Sequence, residues 1–132
     1  MASEKTGLEG IVPILRVRDL AASVDFYVNV LGFKKDWGDL GVFCSVSRDR
    51  SSIMLCQNDQ GCAGTWLWVG AHDAEALYRE LSAAGARIPL PPTNYPWALE
   101  FHVQDPDGHV LRFGSEPKED RPFSQWVVWY RQ

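Results

Sequence analysis

Apolar residues along the chain change their spacing twice, and in the same order each time. Ile11, Val12, Ile14, Leu15 and Val17 form a run that stops at Arg18, the pattern of a buried strand. Asp19 then offers a side-chain N-cap, and Leu20, Val24, Tyr27, Val28 and Leu31 recur at helical spacing up to Gly32, a residue suited to a left-handed C-cap. Phe33 starts another extended stretch. Val42–Ser47 and Ser52–Cys56 read as strands around the polar turn Arg48, Asp49, Arg50. The second half keeps this order with other residues. Thr65–Val69 reads as a strand, and Asp73 caps a helix with Leu77, Leu81 and Ala84 inward that ends at Gly85. Leu99–Val103 and Val110–Phe113 then flank the tight turn Asp105, Pro106, Asp107, Gly108. The halves share order and punctuation rather than identity, so the chain is read as two βαβββ units, an α+β arrangement.

The remaining segments divide the chain. Residues 1–10 are small, polar or charged and are expected to form a flexible arm. A single domain spans 11–114, with modules at about 11–57 and 64–114. Pro89, Pro91, Pro92 and Pro96 predict a loop of polyproline character between strands of the second module. Residues 115–132 are a charged linker and an aromatic tail. Phe123, Trp126, Val127, Val128, Trp129 and Tyr130 make that tail too apolar to leave in water, so it is expected to pack on its own domain or on a second subunit.

Composition narrows the functional classes. A chain of 132 residues buries enough surface to fold without covalent staples. Cys44, Cys56 and Cys62 are odd in number without a CxxC spacing, and the opening MASEKTGLEG lacks the basic start and apolar run of a secretory signal, so a reducing, cytoplasmic setting is expected. No apolar run approaches the roughly 20 residues of a membrane-spanning helix. The net charge is −4, with scattered cations, which argues against nucleic acid and for a cationic or neutral ligand. Six Trp, six Phe and four Tyr favour flat ligands or large interfaces, unless they simply fill a core.

Several residues have two readings. Trp66 and Trp68 lie two apart on a strand and share a side, lining either a cleft or the core under a helix. Trp97, next to Tyr95 and Pro96, is placed for ligand contact. Asp36 and Trp37 precede Gly38 as binding residues or as a turn, and Phe43 lies on a strand facing cleft or core. Glu100 and His102 also share a face. Without a third ligand they are expected on the solvent side of a strand whose Leu99, Phe101 and Val103 point inward. Arg112 either holds a carboxylate in the cleft or pairs with Glu100, and His72 and His109 are expected at the surface. Pro13 has no N–H to donate and suits an edge strand or a crossover.

The string Val12–Phe33 (VPILRVRDLAASVDFYVNVLGF), followed by SRDRSSIML, WLWV and WALEFHVQDPDGHVLRF, resembles the glyoxalase, bleomycin-resistance and extradiol-dioxygenase (vicinal oxygen chelate) superfamily. The resemblance spans roughly Ile11–Gly114. It implies two βαβββ modules whose curled mixed sheets surround a cleft, with the helices outside, in a strand-exchanged homodimer with Pro13 at the hinge. Enzymes of that superfamily hold a divalent metal through His, Glu or Gln on strands of both modules. At those positions this chain has Val12, the Gly64–Val69 stretch without His, Glu or Asp, and Arg112, whose permanent cation repels a metal. No metal or other cofactor is therefore expected.

Within the superfamily the chain is most similar to bleomycin-resistance proteins, through VP at Val12 and Pro13, the repeated Trp of TWLWV, and Pro96, Trp97, Glu100 and Phe101. That similarity implies a non-enzymatic homodimer sequestering a bleomycin-type glycopeptide antibiotic in interface clefts. The implied ligand contacts are Asp36, Trp37, Phe43, Cys56, Trp66 and Trp97, with Cys56 where a small hydroxyl residue is common in that subgroup. Two alternatives stay open. One is a metal-dependent lyase, isomerase or dioxygenase using Gln57, Glu100 and His102, and the other is a binder of a different small molecule.

Overall fold

A computed structural model describes residues 4–39 and 41–125. The first module runs β1 (Ile14–Arg16), α1 (Leu20–Asp25), β2 (Lys34–Asp39), β3 (Phe43–Arg48) and β4 (Ser51–Cys56). The second runs β5 (Trp66–Gly70), α2 (Ala74–Ala83), β6 (Arg87–Asn94), β7 (Leu99–Gln104) and β8 (Val110–Ser115). Each module makes a four-stranded mixed sheet, in the orders β1-β4-β3-β2 and β5-β8-β7-β6. These orders are the same, strand for strand, so the punctuation shared by the two halves of the sequence encodes one topology used twice.

Local chemistry sets the helix ends. Asp19 accepts a hydrogen bond from the Ala22 amide at 3.1 Å, and Asp73 accepts one from the Ala76 amide at 3.0 Å. Gly32 and Gly85 stop the helices at φ +75° and +90°, where an L side chain is strained. Beyond Asp25, α1 widens into a π-helical segment, Phe26–Val30, in which the Leu31 amide reaches back to the Phe26 carbonyl at 3.2 Å. Ala84, expected to face inward, is instead the exposed C-cap of α2.

Period-two alternation gives each sheet a core face and an open face. Leu15, Cys44, Val46, Ile53 and Leu55 from the first sheet and Leu99, Phe101, Val103, Leu111 and Phe113 from the second join Leu20, Tyr27, Leu31 and Leu81 of the helical segments in one buried cluster. Both open faces therefore look away from a core that the modules share. Polar contacts lock the modules together. The Tyr27 hydroxyl donates to Asp105 Oδ2 at 2.8 Å, and the Arg18 amide and Nε donate to Asp107 Oδ1. Burial, then the Asp105 carboxylate, pushes the Tyr27 hydroxyl well above its ordinary value.

His109, expected at the surface, is fully buried in this junction. Its Nδ1 accepts from the Thr65 amide at 3.0 Å and its Nε2–H donates to the Arg16 carbonyl at 2.7 Å, so one neutral tautomer serves a backbone group from each module.

Two further expectations change. Pro89, Pro91 and Pro92 lie not in a loop but in strand β6, and Pro96 alone falls in the connection that follows it. The strand lies at the edge of its sheet and pairs with β7 only at Arg87, Leu90, Thr93 and Asn94, so Pro89, Pro91 and Pro92 fall where no ladder N–H is required. The first strand begins only after Pro13, leaving Ile11 92 % and Leu8 93 % exposed. Of the apolar residues named in the tail, Phe123 is described and half-exposed, whereas Trp126–Tyr130 lie outside the described residues. Among the described residues no helix is long and apolar enough to cross a membrane.

Candidate functional site

The open face of the second sheet is built around a buried carboxylate. Strand register places Trp66 and Trp68 of β5, Arg112 and Gly114 of β8, and Glu100 and His102 of β7 on this one face. Glu100 is fully buried and accepts from Trp97 Nε1 at 3.1 Å, His102 Nε2 at 3.0 Å and Arg112 Nη2 at 3.0 Å. Burial alone would raise its pKa. The donors His102, Trp97 and Arg112 outweigh burial and hold the carboxyl below its ordinary value. The expectation that Glu100 and His102 lie on a solvent side is thus corrected: they point away from the core, as alternation requires, but both are fully buried in this polar cluster.

Arg112 pairs with Glu100, one of the two readings of that side chain. Its guanidinium also stacks over the Trp68 ring, 5.3 Å from the centroid. Trp68 crosses β8 at Gly114, where any Cβ would collide with the indole. Trp97 lies parallel to the buried Tyr95 ring, with centroids 4.5 Å apart, and Trp66 packs edge-on to His102 at 5.7 Å. Glu100 thereby fixes the indole of Trp97 from one side and Tyr95 from another. The result is a flat, partly exposed aromatic surface over a charged pair.

The first sheet presents a looser open face. Register brings Trp37, Phe43, Ser45, Met54 and Cys56 to one side. Trp37 and Phe43 stack at 6.0 Å, which places Phe43 on the open side rather than in the core. Asp36 and Trp37 do not form a turn: β2 continues through Gly38 to Asp39, with a bulge between Lys35 and Trp37. Asp36 accepts from the Ser47 hydroxyl at 2.9 Å. Burial raises the pKa of the Cys56 thiol, but the amides of Gln60, Asn58 and Asp59 directed at its sulfur hold it below its ordinary value.

Asp36, Trp37, Phe43 and Cys56 therefore gather on the first sheet and Trp66 on the second, with Trp97 in the β6–β7 connection, bonded to Glu100 of that sheet. Exposure of 50 % at Trp37, 43 % at Trp66, 52 % at Trp68 and 47 % at Trp97 marks these as surfaces rather than core. Sequence reasoning left Trp68 and Arg112 open between the cleft and other roles and assigned neither Tyr95 nor Glu100 to the binding face. The spacing of Trp97 and Glu100, and the alternation of Glu100 with His102, were the available signals. A cavity of about 760 Å³ lies elsewhere, between the β3–β4 turn and α2, and is lined by Leu31, Arg48, Leu77, Glu80 and Phe113 but by none of the six candidates.

A catalytic metal does not fit the donor set. Among the described residues no three His, Cys, Asp or Glu side chains are grouped to hold an ion. Gln57 Oε1 accepts from the Leu20 amide at 2.7 Å, and Glu100 is engaged by both His102 and the Arg112 cation, so the alternative ligand set is not assembled.

The chain matches the Glyoxalase/Bleomycin resistance protein/Dioxygenase superfamily over residues 10–113, and it belongs to that superfamily. Among solved structures it is similar to the bleomycin-binding protein of the bleomycin producer Streptomyces verticillus in complex with copper(II)-bleomycin, with 26 % identity, a TM-score of 0.67, and coverage of 86 % of this chain and 100 % of that one. An antibiotic-binding protein from Streptomyces sp. CB03234 superposes with a TM-score of 0.74 at 23 % identity, over 86 % of this chain and 100 % of the other. A further bleomycin-binding protein, complexed with bleomycin, gives 0.70 at 21 %, over 83 % and 99 %. No curated protein matches the sequence.

Proposed function

We propose that this is a non-enzymatic, metal-free cytoplasmic protein that sequesters a bleomycin-type glycopeptide antibiotic in clefts formed between two subunits. The observation that carries this reading is the pair of partly exposed aromatic faces, each turned away from the shared core. Among the described residues the two faces belong to different sheets, each backed by the shared core. A cleft requires a second copy, with the first sheet of one protomer opposite the second sheet of its partner. The exposed apolar residues Leu8 and Ile11, ahead of Pro13, supply a segment for exchange between protomers.

The chemistry of the faces suits the ligand. Trp97 and Trp66 on one side and Trp37 and Phe43 on the other offer π-faces to planar rings, while Asp36 and Asp39 offer carboxylates to a cationic tail. Binding of this kind protects by lowering free drug and breaks no bond. The bleomycin complex of the Streptomyces verticillus relative supports the choice of ligand. Cys44 and Cys56 as free, buried thiols, together with exposed Cys62, suit a reducing compartment.

Metal-free bleomycin mixed with EDTA-treated, dialysed protein tests the reading. The expected result is saturable, stoichiometric binding by a dimer, with drug of unchanged mass recovered after denaturation. Modified drug, or a concentration-independent monomer by light scattering, overturns it. Binding of another small molecule in place of bleomycin keeps the cleft and replaces the ligand.

A further inference from the structure

We propose that the cavity between the β3–β4 turn and α2 is a second binding site, for a small amphiphilic anion: an apolar body that carries one carboxylate. None of the six candidates on the open faces lines this cavity, so the site stands independently of the antibiotic reading.

The space arises where the two modules meet. Leu31 and Phe33 enter it from the first module, and Val69, Leu77, Leu81 and Phe113 from the second. Leu31, Phe33, Leu81 and Phe113 are buried, whereas Val69 and Leu77 stay only partly buried although both pack against the core. Apolar wall is thus left uncovered. Its volume of about 760 Å³ falls within the roughly 300–1,000 Å³ of small-molecule sites.

Charge decides what fits there. Asp49, Asp73 and Glu80 line the cavity together with Arg48, Arg50 and His72, and most of these groups are already committed. Glu80 accepts from Arg48 Nη1 at 2.7 Å and Nη2 at 3.0 Å, and the same Nη1 donates to the Leu31 carbonyl at 2.9 Å. Asp73 accepts the Ala76 amide at the start of α2, and Asp49 has the Arg48 guanidinium 3.9 Å away. Arg50 and His72 make no hydrogen bond or ion pair among the described residues. The groups left for a ligand are therefore a guanidinium and an imidazole. A carboxylate on Arg50, with its apolar body against Val69 and Leu77, satisfies the cation and covers the wall. A cationic ligand would meet Arg50 with only Asp49, already beside Arg48, to receive it.

The test titrates the full chain with naphthoate, and separately with naphthylmethylammonium of the same shape and opposite charge, by amide-resolved NMR. Naphthoate is expected to give saturable shifts at the amides of Ser51, Gly70, Ala71 and His72, with a Kd of about 1 mM for a ligand of this size. The cation, and naphthoate with the Arg50→Glu variant, are each expected to bind at least about fivefold more weakly at these amides. Ala76→Phe, which fills the cavity without changing its charge, is expected to abolish the shifts. Should that variant fail to fold, the charge comparison and Arg50→Glu carry the same decision. No saturable shift at these amides overturns the proposal. Equal binding of the two charges, or of naphthoate to Arg50→Glu and the unaltered chain, overturns it as well.

Discussion

The two open faces share strand order but not construction. On the second sheet, a fully buried Glu100 takes donors from Trp97, His102 and Arg112, and the aromatic rings are held by those bonds and by stacking on Tyr95 and on the guanidinium. On the first, Trp37 rests against Phe43 and the acidic partner Asp36 is exposed, tied only to Ser47 and loosely to Lys34. The scaffold was used twice while the chemistry on it diverged. One face is preorganised, so it loses little side-chain entropy on binding, whereas the other can adjust to its guest.

Removing the buried carboxylate breaks this contrast most severely. Glu100→Ala removes the buried carboxylate that Arg112, His102 and the Trp97 N–H share and is expected to cost about 3 kcal/mol in urea denaturation, near the low end for breaking a buried pair because Arg112 is partly exposed. The equivalent change on the first sheet, Asp36→Ala, is expected to cost under about 0.5 kcal/mol. Equal losses would show that the faces are built alike.

Binding is the next effect. Trp97→Ala is expected to weaken bleomycin by about 30-fold, close to 2 kcal/mol, and Trp37→Ala by about 5-fold, because a fixed anchor contributes more than a mobile one. Calorimetric titration of both variants decides the ranking, and a reversed order would remove the claim of preorganisation.

Acid gives a smaller, graded test. The folded Glu100 pKa lies below its ordinary value, so its contribution to stability is present at neutral pH and is lost as pH falls through the folded value. Asp105, raised above its ordinary value chiefly by burial, acts in the opposite sense. The difference between wild type and Glu100→Gln isolates the first term: the variant is expected to lose less stability between pH 6 and the acid range, by roughly 1 kcal/mol or less. Parallel pH profiles would show that the carboxylate gains nothing from its donors.

The repeat, both helices and the β7–β8 turn were legible because each rests on local signals: Asp caps, Gly stops at positive φ, and a period of two. Strand β6 was not, since proline at a sheet edge and proline in a loop leave the same trace in sequence. Asp36, Trp37, Phe43, Cys56 and Trp66 lie on strands, and Trp97 lies in the connection between β6 and β7. The cluster around Glu100 was not legible, because alternation separates core side from open side but does not say whether an open side is wet. That depends on Trp97 folding back over Glu100 and on Arg112 pairing across strands, contacts set by a register that no local motif fixes. His109 was misplaced for a similar reason: a turn residue becomes buried only when another module docks on it.

The central claim is that one cleft takes its first wall from one chain and its second from another, and subunit mixing tests it most directly. Trp37→Ala and Trp97→Ala proteins, each weakened alone, are mixed, allowed to exchange and titrated with metal-free bleomycin. In a mixed dimer one cleft then combines both unaltered walls, so wild-type affinity is predicted to return at about one site in four of the exchanged population. If no tight site reappears although exchange is verified by mass, each cleft belongs to a single chain and the account is contradicted.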